Sequence, residues 1–231
     1  MGSDNYSHNL SETYQKRYSA YLYSGLHGLL MRQSHRLLSK NACLVDNTNV
    51  LEVGGGLSPH FLHVNLQGVK NYVIEDIFSD ETLRQIEAYN DRYPFSIMLS
   101  HIDSDASPNP NIRYSRVVSS HCWEHIPDPE KVLLDWVGRL EPAGLLSILI
   151  PCDPGILWKL ASYVSKWKYR RLYGVSFKEF DLMMAREHIN GCQRLVRFFK
   201  YHFPHGTVKK FPFPFLPMEL NLFIKLEVRN S

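Results

Sequence analysis

Short apolar runs alternate with segments of helical periodicity along most of this chain. Runs suited to buried strands occur at residues 49–53, 71–77, 95–99, 114–120 and 145–150. Between them, apolar residues recur every three or four positions, as in the segment from Asp80 to about Tyr93. Alternating strands and helices predict a parallel sheet with helices on both faces. We therefore expect an α/β fold with a doubly wound, Rossmann-like sheet.

The two ends of the chain add further elements. Residues 11–40 have helical spacing, with a tyrosine stripe at Tyr14, Tyr18 and Tyr21 and a predicted break at Gly25 and Gly28. The stripe either packs on the core or forms a lid over a ligand. At the other end, a helix is predicted over about Ile189 to Tyr201, a short strand over 208–211, and a last strand over 220–228, where apolar positions alternate with their neighbours.

These patterns divide a single predicted domain of 231 residues into four parts. We expect an N-terminal helical cap at 11–45, a ligand-binding core at 46–155, a helical lid or substrate region at 156–205, and C-terminal strands at 206–231.

Composition narrows the class of protein without identifying it. A net charge of +3 and a pI of 8.6 are too small to indicate a nucleic-acid-binding protein. The four cysteines are far apart with no CxxC pair, so we expect reduced thiols. No apolar run approaches the roughly 18 residues of a membrane span, and the polar start does not resemble a signal peptide. The expected compartment is the cytoplasm.

A glycine loop follows the first predicted strand. Glu52 lies within the strand, and Gly54, Gly55 and Gly56 follow it directly. Glycine lets the backbone turn sharply and approach a ligand closely. Ser58 as N-cap and Pro59 at the first helical position predict a helix immediately afterwards.

Acidic residues follow the second and third predicted strands. Asp76 ends the second strand about 20 residues beyond the last glycine, a spacing that suits hydrogen bonds to the two hydroxyls of a ribose. Its neighbour Glu75 could exchange roles with it. Asp103, after the third strand, is suited either to an adenine amino group or to a simple turn.

The fourth predicted strand leads into a histidine-containing turn, His121 to Pro129. Asp128 is expected to cap a helix that begins at Pro129. We expect His125 and Glu124 to form a hydrogen-bonding pair at the entry to this helix. The spacing of His121 and His125 also suits a metal, but no third ligand is evident from spacing, so no metal site is expected.

Three motifs in this order resemble those of the class I S-adenosylmethionine-dependent methyltransferases, especially their small-molecule branch. They are Glu52-x-Gly54-x-Gly56, Asp76 and the turn His121-x-x-Glu124-His125-Ile126-Pro127-Asp128-Pro129. The resemblance covers about residues 48–155. It implies a mainly parallel seven-stranded sheet with a final antiparallel strand, and S-adenosyl-L-methionine as the cofactor.

The resemblance also implies roles for individual residues. Gly54, Gly55 and Gly56 would face the methionine part of the cofactor, and Glu52 would orient this loop or the cofactor amino group. Asp76 would bind the ribose, and Asp103 and Ser120 are further expected cofactor contacts. His121 would orient or deprotonate the methyl acceptor, or else serve only the turn. His188 would face the substrate or cap the late helix.

A dinucleotide-binding oxidoreductase is the main alternative for the glycine loop. In its G-x-G-x-x-G fingerprint the third glycine would fall on Pro59. Proline lacks an N–H to hold a pyrophosphate, and S-adenosylmethionine carries no phosphate. The methyltransferase interpretation is therefore favoured.

The sequence predicts a basic amphipathic helix over residues 156–174. Leu157, Leu160 and Val164 share one face, opposite Lys159 and Arg170. The helix either docks on the domain or contacts a membrane surface or an anionic substrate. We expect O- or N-methylation of a small-molecule or lipid-like acceptor. The alternatives are an inactive cofactor-binding regulatory partner and a membrane-surface adaptor; the sequence leaves the oligomeric state open.

Overall fold

A computed structural model describes residues 25–40, 48–56, 58–77, 80–101 and 112–230. Its strands are β1 Asn49–Val53, β2 Asn71–Asp76, β3 Ser96–His101, β4 Tyr114–Ser120, β5 Leu140–Pro151, β6 Thr207–Phe211 and β7 Phe223–Arg229. Its α-helices are α1 Gly25–Ser39, α2 Asp80–Glu87, α3 Pro129–Gly138, α4 Ile156–Tyr173, α5 Phe177–Glu187 and α6 Cys192–His202. Single 3₁₀ turns occur at His60–Leu62, Trp123–His125 and Met218–Leu220.

The strands form one seven-stranded sheet in the order β3-β2-β1-β4-β5-β7-β6. Strands β1 to β5 pair in parallel, and β7 lies antiparallel between β5 and β6. This arrangement confirms the predicted doubly wound, mainly parallel sheet with an antiparallel last strand. Because the order reverses between β1 and β4, the carboxyl ends of these two strands flank the crevice where such folds bind ligands.

Helices cover both faces of the sheet, as the alternation predicts. On one face, α3 and α6 bury Trp136 and Phe199 against the central strands. On the other face, Leu38 of α1 and Ile86 of α2 pack with Phe61. The strand positions buried on the first face include Leu51, Val117, Ile148, Ile224 and Leu226, and those on the second include Val50, Tyr72, Ile74, Val118 and Leu149.

The segment after the glycine loop departs most from prediction. It forms one 3₁₀ turn instead of an α-helix, so the predicted cap at Ser58 is wrong. The Ser58 hydroxyl is hydrogen-bonded to His63 Nε2 at 2.8 Å. The backbone N–H of His60 instead donates to the Glu52 carboxylate, at 2.9 Å from each oxygen. Glu52 thus supplies from the strand the acceptor that an N-cap side chain normally provides.

Other element boundaries also differ. Segment 141–144, which precedes the predicted fifth strand, lies within β5, where Ala143 has φ +62° and the pairing register with β4 shifts. Helix α2 ends at Glu87, earlier than expected. Gly28 is buried within α1 and does not break it, while Tyr14, Tyr18 and Tyr21 lie outside the described residues. Asp128 caps α3 as predicted, accepting the Lys131 N–H at 3.3 Å.

Helix α5 was missed by periodicity although its start signal is present in the sequence. Ser176 and Glu179 form a reciprocal capping box at its N-terminus. The helix follows α4 closely and packs Phe180 against Tyr169. The region between β5 and β6 therefore contains three helices in the described chain, where the sequence predicts two.

Helix α4 docks through a different face from the one its apolar residues suggest. Tyr169 and Ser165 are buried. Leu160 and Val164, on the predicted apolar face, are 61% and 62% exposed. The helix therefore exposes an apolar strip, which includes Leu160 and Val164, to solvent. Among the described residues, no helix is long and apolar enough to cross a membrane.

A buried ion pair lies in β7. Lys225 Nζ contacts Glu227 Oε1 at 2.7 Å, and both side chains are almost fully buried. The Ser147 hydroxyl donates to the same Glu227 oxygen at 3.2 Å. Burial lowers the pKa of Lys225, and the hydrogen bond to Glu227 opposes that shift. Glu227 therefore compensates the buried ammonium group of Lys225.

We expect Glu227→Gln to reduce the free energy of unfolding by about 3–5 kcal/mol, because it leaves the Lys225 ammonium buried without its counter-charge. Urea denaturation measures this change. Asp181→Asn, which removes the partially exposed Lys166–Asp181 pair, is the control and is expected to cost less than about 1 kcal/mol. Equal losses in the two variants would contradict the buried-pair interpretation.

Candidate functional site

The glycine loop and the histidine turn are in direct contact at the carboxyl ends of β1 and β4. A Cβ atom on Gly54 would lie 2.3 Å from Cys122 Cβ and 2.5 Å from its sulfur. Gly54 and Gly56 have φ values of +78° and +47°, in the left-handed region that glycine adopts without strain. The loop is therefore restricted to glycine by both backbone conformation and the approach of the turn.

Glu52 lies beneath this loop and is fully buried. Besides the His60 N–H, its carboxylate accepts the Tyr72 hydroxyl at 2.7 Å. Burial raises the pKa of Glu52 to about 7, although these hydrogen bonds favour the ionised form. The carboxylate is thus hydrogen-bonded to the backbone of His60 and to Tyr72 of β2. These bonds suit the orientation of the loop, which is one of the two roles expected for Glu52; the other is contact with the cofactor amino group.

Three histidines reinforce the same region. His35 Nδ1 and His60 Nδ1 are 3.0 Å apart, so one donates and the other accepts. His60 Nε2 is hydrogen-bonded to Ser39 Oγ at 2.9 Å, and His63 stacks on His35 with ring centroids 4.3 Å apart. Burial lowers the pKa of His35 and of His60, which keeps both rings neutral. No spacing in the sequence indicates this cluster, because α1 supplies His35 from outside the loop.

The two acids at the end of β2 point to different partners. Asp76 accepts the backbone N–H groups of Gly56 and Ile77, each at 2.6 Å. Glu75 forms an ion pair with Arg139 at 2.6 Å. Burial raises the pKa of Asp76, opposed by the hydrogen bonds from Ile77 and Gly56. Of the two acids, Asp76 lies against the glycine loop.

His121 begins the turn after β4 in an unusual backbone conformation. Its φ is +53°, and its N–H donates to Leu149 O at 2.9 Å. A non-glycine residue in this region stores strain that often marks a functional site. The ring lies edge-on to Phe223, with centroids 5.3 Å apart. The neighbouring Ser120 Oγ is shielded from solvent and has no hydrogen-bond partner among the described residues.

A second group of polar side chains lies beside His121. His125 Nδ1 is hydrogen-bonded to Glu187 O at 2.7 Å, and His188 Nδ1 to Asp153 Oδ2 at 2.8 Å. Glu124 is 2% exposed, and burial raises its pKa to about 7. Its Oε1 is 3.7 Å from His125 Nε2, beyond hydrogen-bonding distance, so the predicted pair between these two residues is wrong.

Aromatic residues from later segments complete this surface. Trp158 of α4 stacks on His188 at 6.1 Å and meets Phe223 edge-on at 6.4 Å. His188 follows the last residue of α5 and so does not begin α6. Sequence spacing did not connect Trp158, Phe223 or Asp153 with His121, because they come from separate segments.

Six of the expected cofactor residues lie at the carboxyl ends of β1, β2 and β4. They are Glu52, Gly54, Gly55, Gly56, Asp76 and Ser120. Ser120 is the last residue of β4 and His121 follows it, so both lie at the same edge of the sheet. Asp103 lies outside the described residues. The three described cysteines, Cys122, Cys152 and Cys192, are free thiols, and Cys43 lies outside the described residues.

We expect Gly54→Ala to lower the free energy of unfolding by about 2–4 kcal/mol, because the new methyl group overlaps Cys122 and the left-handed φ is strained. Gly138→Ala is the matched control, because no heavy atom lies within 4 Å of the added Cβ. Replacing Cys122 by Gly in the Gly54→Ala background should restore the steric part. A Gly54→Ala protein as stable as Gly138→Ala would contradict the contact.

Comparisons with known protein families and structures point to methyltransferases. The family model described as "Methyltransferase domain" matches residues 19–190. No curated protein sequence matches the chain. A structure of the plantazolicin methyltransferase BpumL, in complex with a pentazolic desmethylPZN analog and SAH, is similar with a TM-score of 0.62 and 14% identity, over 99% of this chain and 93% of that one.

Two further structures are similar at comparable identity. An O-methyltransferase family protein from Burkholderia thailandensis has a TM-score of 0.59 at 12% identity, over 94% of this chain and 59% of that one. N-methyltransferase NodS from Bradyrhizobium japonicum WM9 has a TM-score of 0.51 at 11% identity, over 87% and 96%. These likenesses show the fold. The family model, which covers most of the chain, shows that the chain belongs to the methyltransferase-domain family, and its sheet has the fold of the class I S-adenosylmethionine-dependent methyltransferases.

Proposed function

We propose that this protein transfers a methyl group to an oxygen or nitrogen atom of a small-molecule or lipid-like acceptor. The observation that carries the proposal is the contact between Gly54 and Cys122. It joins the glycine loop, where the cofactor is expected, to the turn that carries His121. Donor and acceptor sites on the two sides of this contact would lie close together, which is the main requirement of an in-line transfer.

The residues beside the glycine loop fit the cofactor chemically. Each Asp76 oxygen accepts one backbone N–H and keeps a further lone pair, so the carboxylate can accept two hydroxyl groups of a ribose. Ser120 Oγ offers a buried polar atom without a partner in the described chain. The glycine backbone offers a surface free of side chains. We assign Glu52 to holding the loop and propose Asp103 as a further contact.

S-adenosylmethionine supplies a methyl group already activated on a sulfonium. The protein's own residues then have to position the acceptor and exclude water. His121 is our candidate for orienting the acceptor, and for taking its proton when the acceptor is a hydroxyl. A neutral amine acceptor would need the positioning alone. The strained backbone at His121 and its position beside Ser120 support this role.

The nature of the acceptor is proposed from the surrounding surface. Trp158, Phe223 and His188 form an aromatic wall next to His121. The exposed apolar strip of α4, with Leu160, Val164 and basic residues nearby, suits an apolar acceptor or one presented at a lipid surface. The similar BpumL structures hold azolic desmethylPZN analogs, which agrees with an organic acceptor of this general kind.

Asp76→Ala is expected to weaken binding of S-adenosylmethionine at least about 10-fold, because it removes charged hydrogen bonds to the ribose. Isothermal titration calorimetry with the cofactor and with its demethylated product measures this. Glu75→Ala is the matched control, since Glu75 is paired with Arg139, and its affinity should stay within about twofold of wild type. The proposal fails if Asp76→Ala binds like wild type or if the wild type does not bind.

The acceptor is sought by transfer from labelled S-adenosylmethionine to fractionated small-molecule extracts, with and without anionic lipid vesicles. With that acceptor, His121→Asn should lower kcat about 100-fold if a hydroxyl is methylated, while cofactor affinity is unchanged. Asn tolerates the left-handed backbone at this position, so the turn is preserved. Exposed His205→Asn is the control. An unchanged kcat in His121→Asn would leave His121 a structural role only.

A further inference from the structure

We propose that Glu124, His125 and His188 bind one divalent transition-metal ion of the Zn²⁺ class. Resting on the proposed function, we further infer that this ion binds an oxygen atom of the methyl acceptor. The site is distinct from the glycine loop and Asp76, and of its three side chains only His188 also belongs to the proposed aromatic wall.

The three side chains converge. One ligand atom from each of Glu124, His125 and His188 lies within 4.8 Å of the others. Glu124 Oε1 and His125 Nε2 are already 3.7 Å apart. Ligands of a tetrahedral zinc ion, bound at about 2.0–2.1 Å, are about 3.3 Å from one another. Side-chain movements of about 1 Å would therefore close the cluster around an ion.

The hydrogen bond of His125 fixes the state that a metal ligand needs. Its Nδ1 lies 2.7 Å from Glu187 O. A carbonyl oxygen can only accept, so Nδ1 carries the proton and donates it. In the neutral ring Nε2 then has a free lone pair, and this is the nitrogen that lies near Glu124. Metal-binding histidines commonly donate their other N–H to a backbone carbonyl in this way.

His188 has the same arrangement with a carboxylate. Its Nδ1 lies 2.8 Å from Asp153 Oδ2, so Nδ1–H donates a hydrogen bond to the carboxylate. The other ring nitrogen is left as an acceptor. A carboxylate behind a histidine orients the ring and raises its basicity as a ligand. In the neutral form, these two hydrogen bonds leave Nε2 of each histidine with a free lone pair, and the partners come from two different segments.

Glu124 provides the independent indication of a missing positive charge. It is 2% exposed, and its Oε2 is shielded from solvent with no hydrogen-bond partner among the described residues. A buried carboxylate oxygen without a partner is costly. A cation held between Glu124 and the two histidines would satisfy it. Two histidines with one carboxylate are a ligand set of catalytic zinc sites, which keep a position open.

The open position would face the acceptor. His121 Nδ1 is 3.9 Å from Glu124 Oε1, and Trp158 stacks on His188, so the cluster adjoins the proposed acceptor wall. A bound metal ion lowers the pKa of a coordinated hydroxyl and fixes its orientation. The chemistry therefore favours acceptors with a hydroxyl or carboxylate group near the methylated atom.

The test uses the full chain, stripped with a chelator and dialysed. Zn²⁺ is titrated by calorimetry, and Co²⁺ is followed by its visible absorption as a spectroscopic probe of the ligands. We expect one equivalent of metal to bind. His188→Ala and Glu124→Gln should each weaken Zn²⁺ affinity at least about 10-fold, and Asp153→Asn about 10–100-fold through the orientation of His188. His202→Ala, which breaks the His202–Glu130 pair elsewhere, should bind like wild type.

Thermal unfolding of the metal-free variants identifies any that fail to fold, and Glu124→Gln, which conserves shape, remains informative if His188→Ala does not fold. The proposal is overturned if the wild type shows no saturable binding, or if folded His188→Ala and Glu124→Gln bind as tightly as wild type. Calorimetry of S-adenosylmethionine with the chelated wild type keeps the two proposals separate. Loss of cofactor binding there counts against the proposed function, whereas loss of metal binding alone counts against the metal site.

Discussion

Gly54 and Cys122 pack so closely that no side chain fits on the loop at this position. This contact fixes the distance between the carboxyl ends of β1 and β4, the neighbouring strands at which the sheet order reverses. The left-handed conformations of Gly54 and His121 lie on either side of it. Because Gly54 and His121 adjoin the same contact, the glycine loop and the histidine turn are held together at this edge of the sheet.

The loop also depends on polar groups buried below it. Glu52 holds the start of the 3₁₀ turn and the Tyr72 hydroxyl, and His60 extends the network to His35 and Ser39. A full helix after the loop would carry more of its own hydrogen bonds. Here a single turn replaces it, and the strand, β2 and α1 supply the missing support. This arrangement stabilises the loop from three separate elements.

The surface beyond His121 is assembled from distant parts of the chain. Glu124 and His125 come from the turn after β4, Asp153 follows β5, and His188 follows α5. Helix α4 adds Trp158 from its buried side and leaves an apolar strip exposed. The region between β5 and β6 thus contributes Trp158 to the aromatic wall and His188 to the proposed metal site.

The sequence by itself determined the sheet. Its apolar runs gave the strands, Asp128 and Pro129 the start of α3, and the order of glycine loop, acid and histidine turn the family, because these signals are local. It also favoured Asp76 over Glu75, although only the structure shows the ion pair between Arg139 and Glu75.

Local signals misjudged Ser58, because the competing acceptor, Glu52, is held in β1 and reaches His60 through the fold. They also could not supply a third ligand for His125. His188 is 63 positions further along the chain, and α5 must pack against the turn before the two rings meet, 4.9 Å apart. Such pairings are decided by tertiary packing, since periodicity and caps carry no information about which distant side chains share a site.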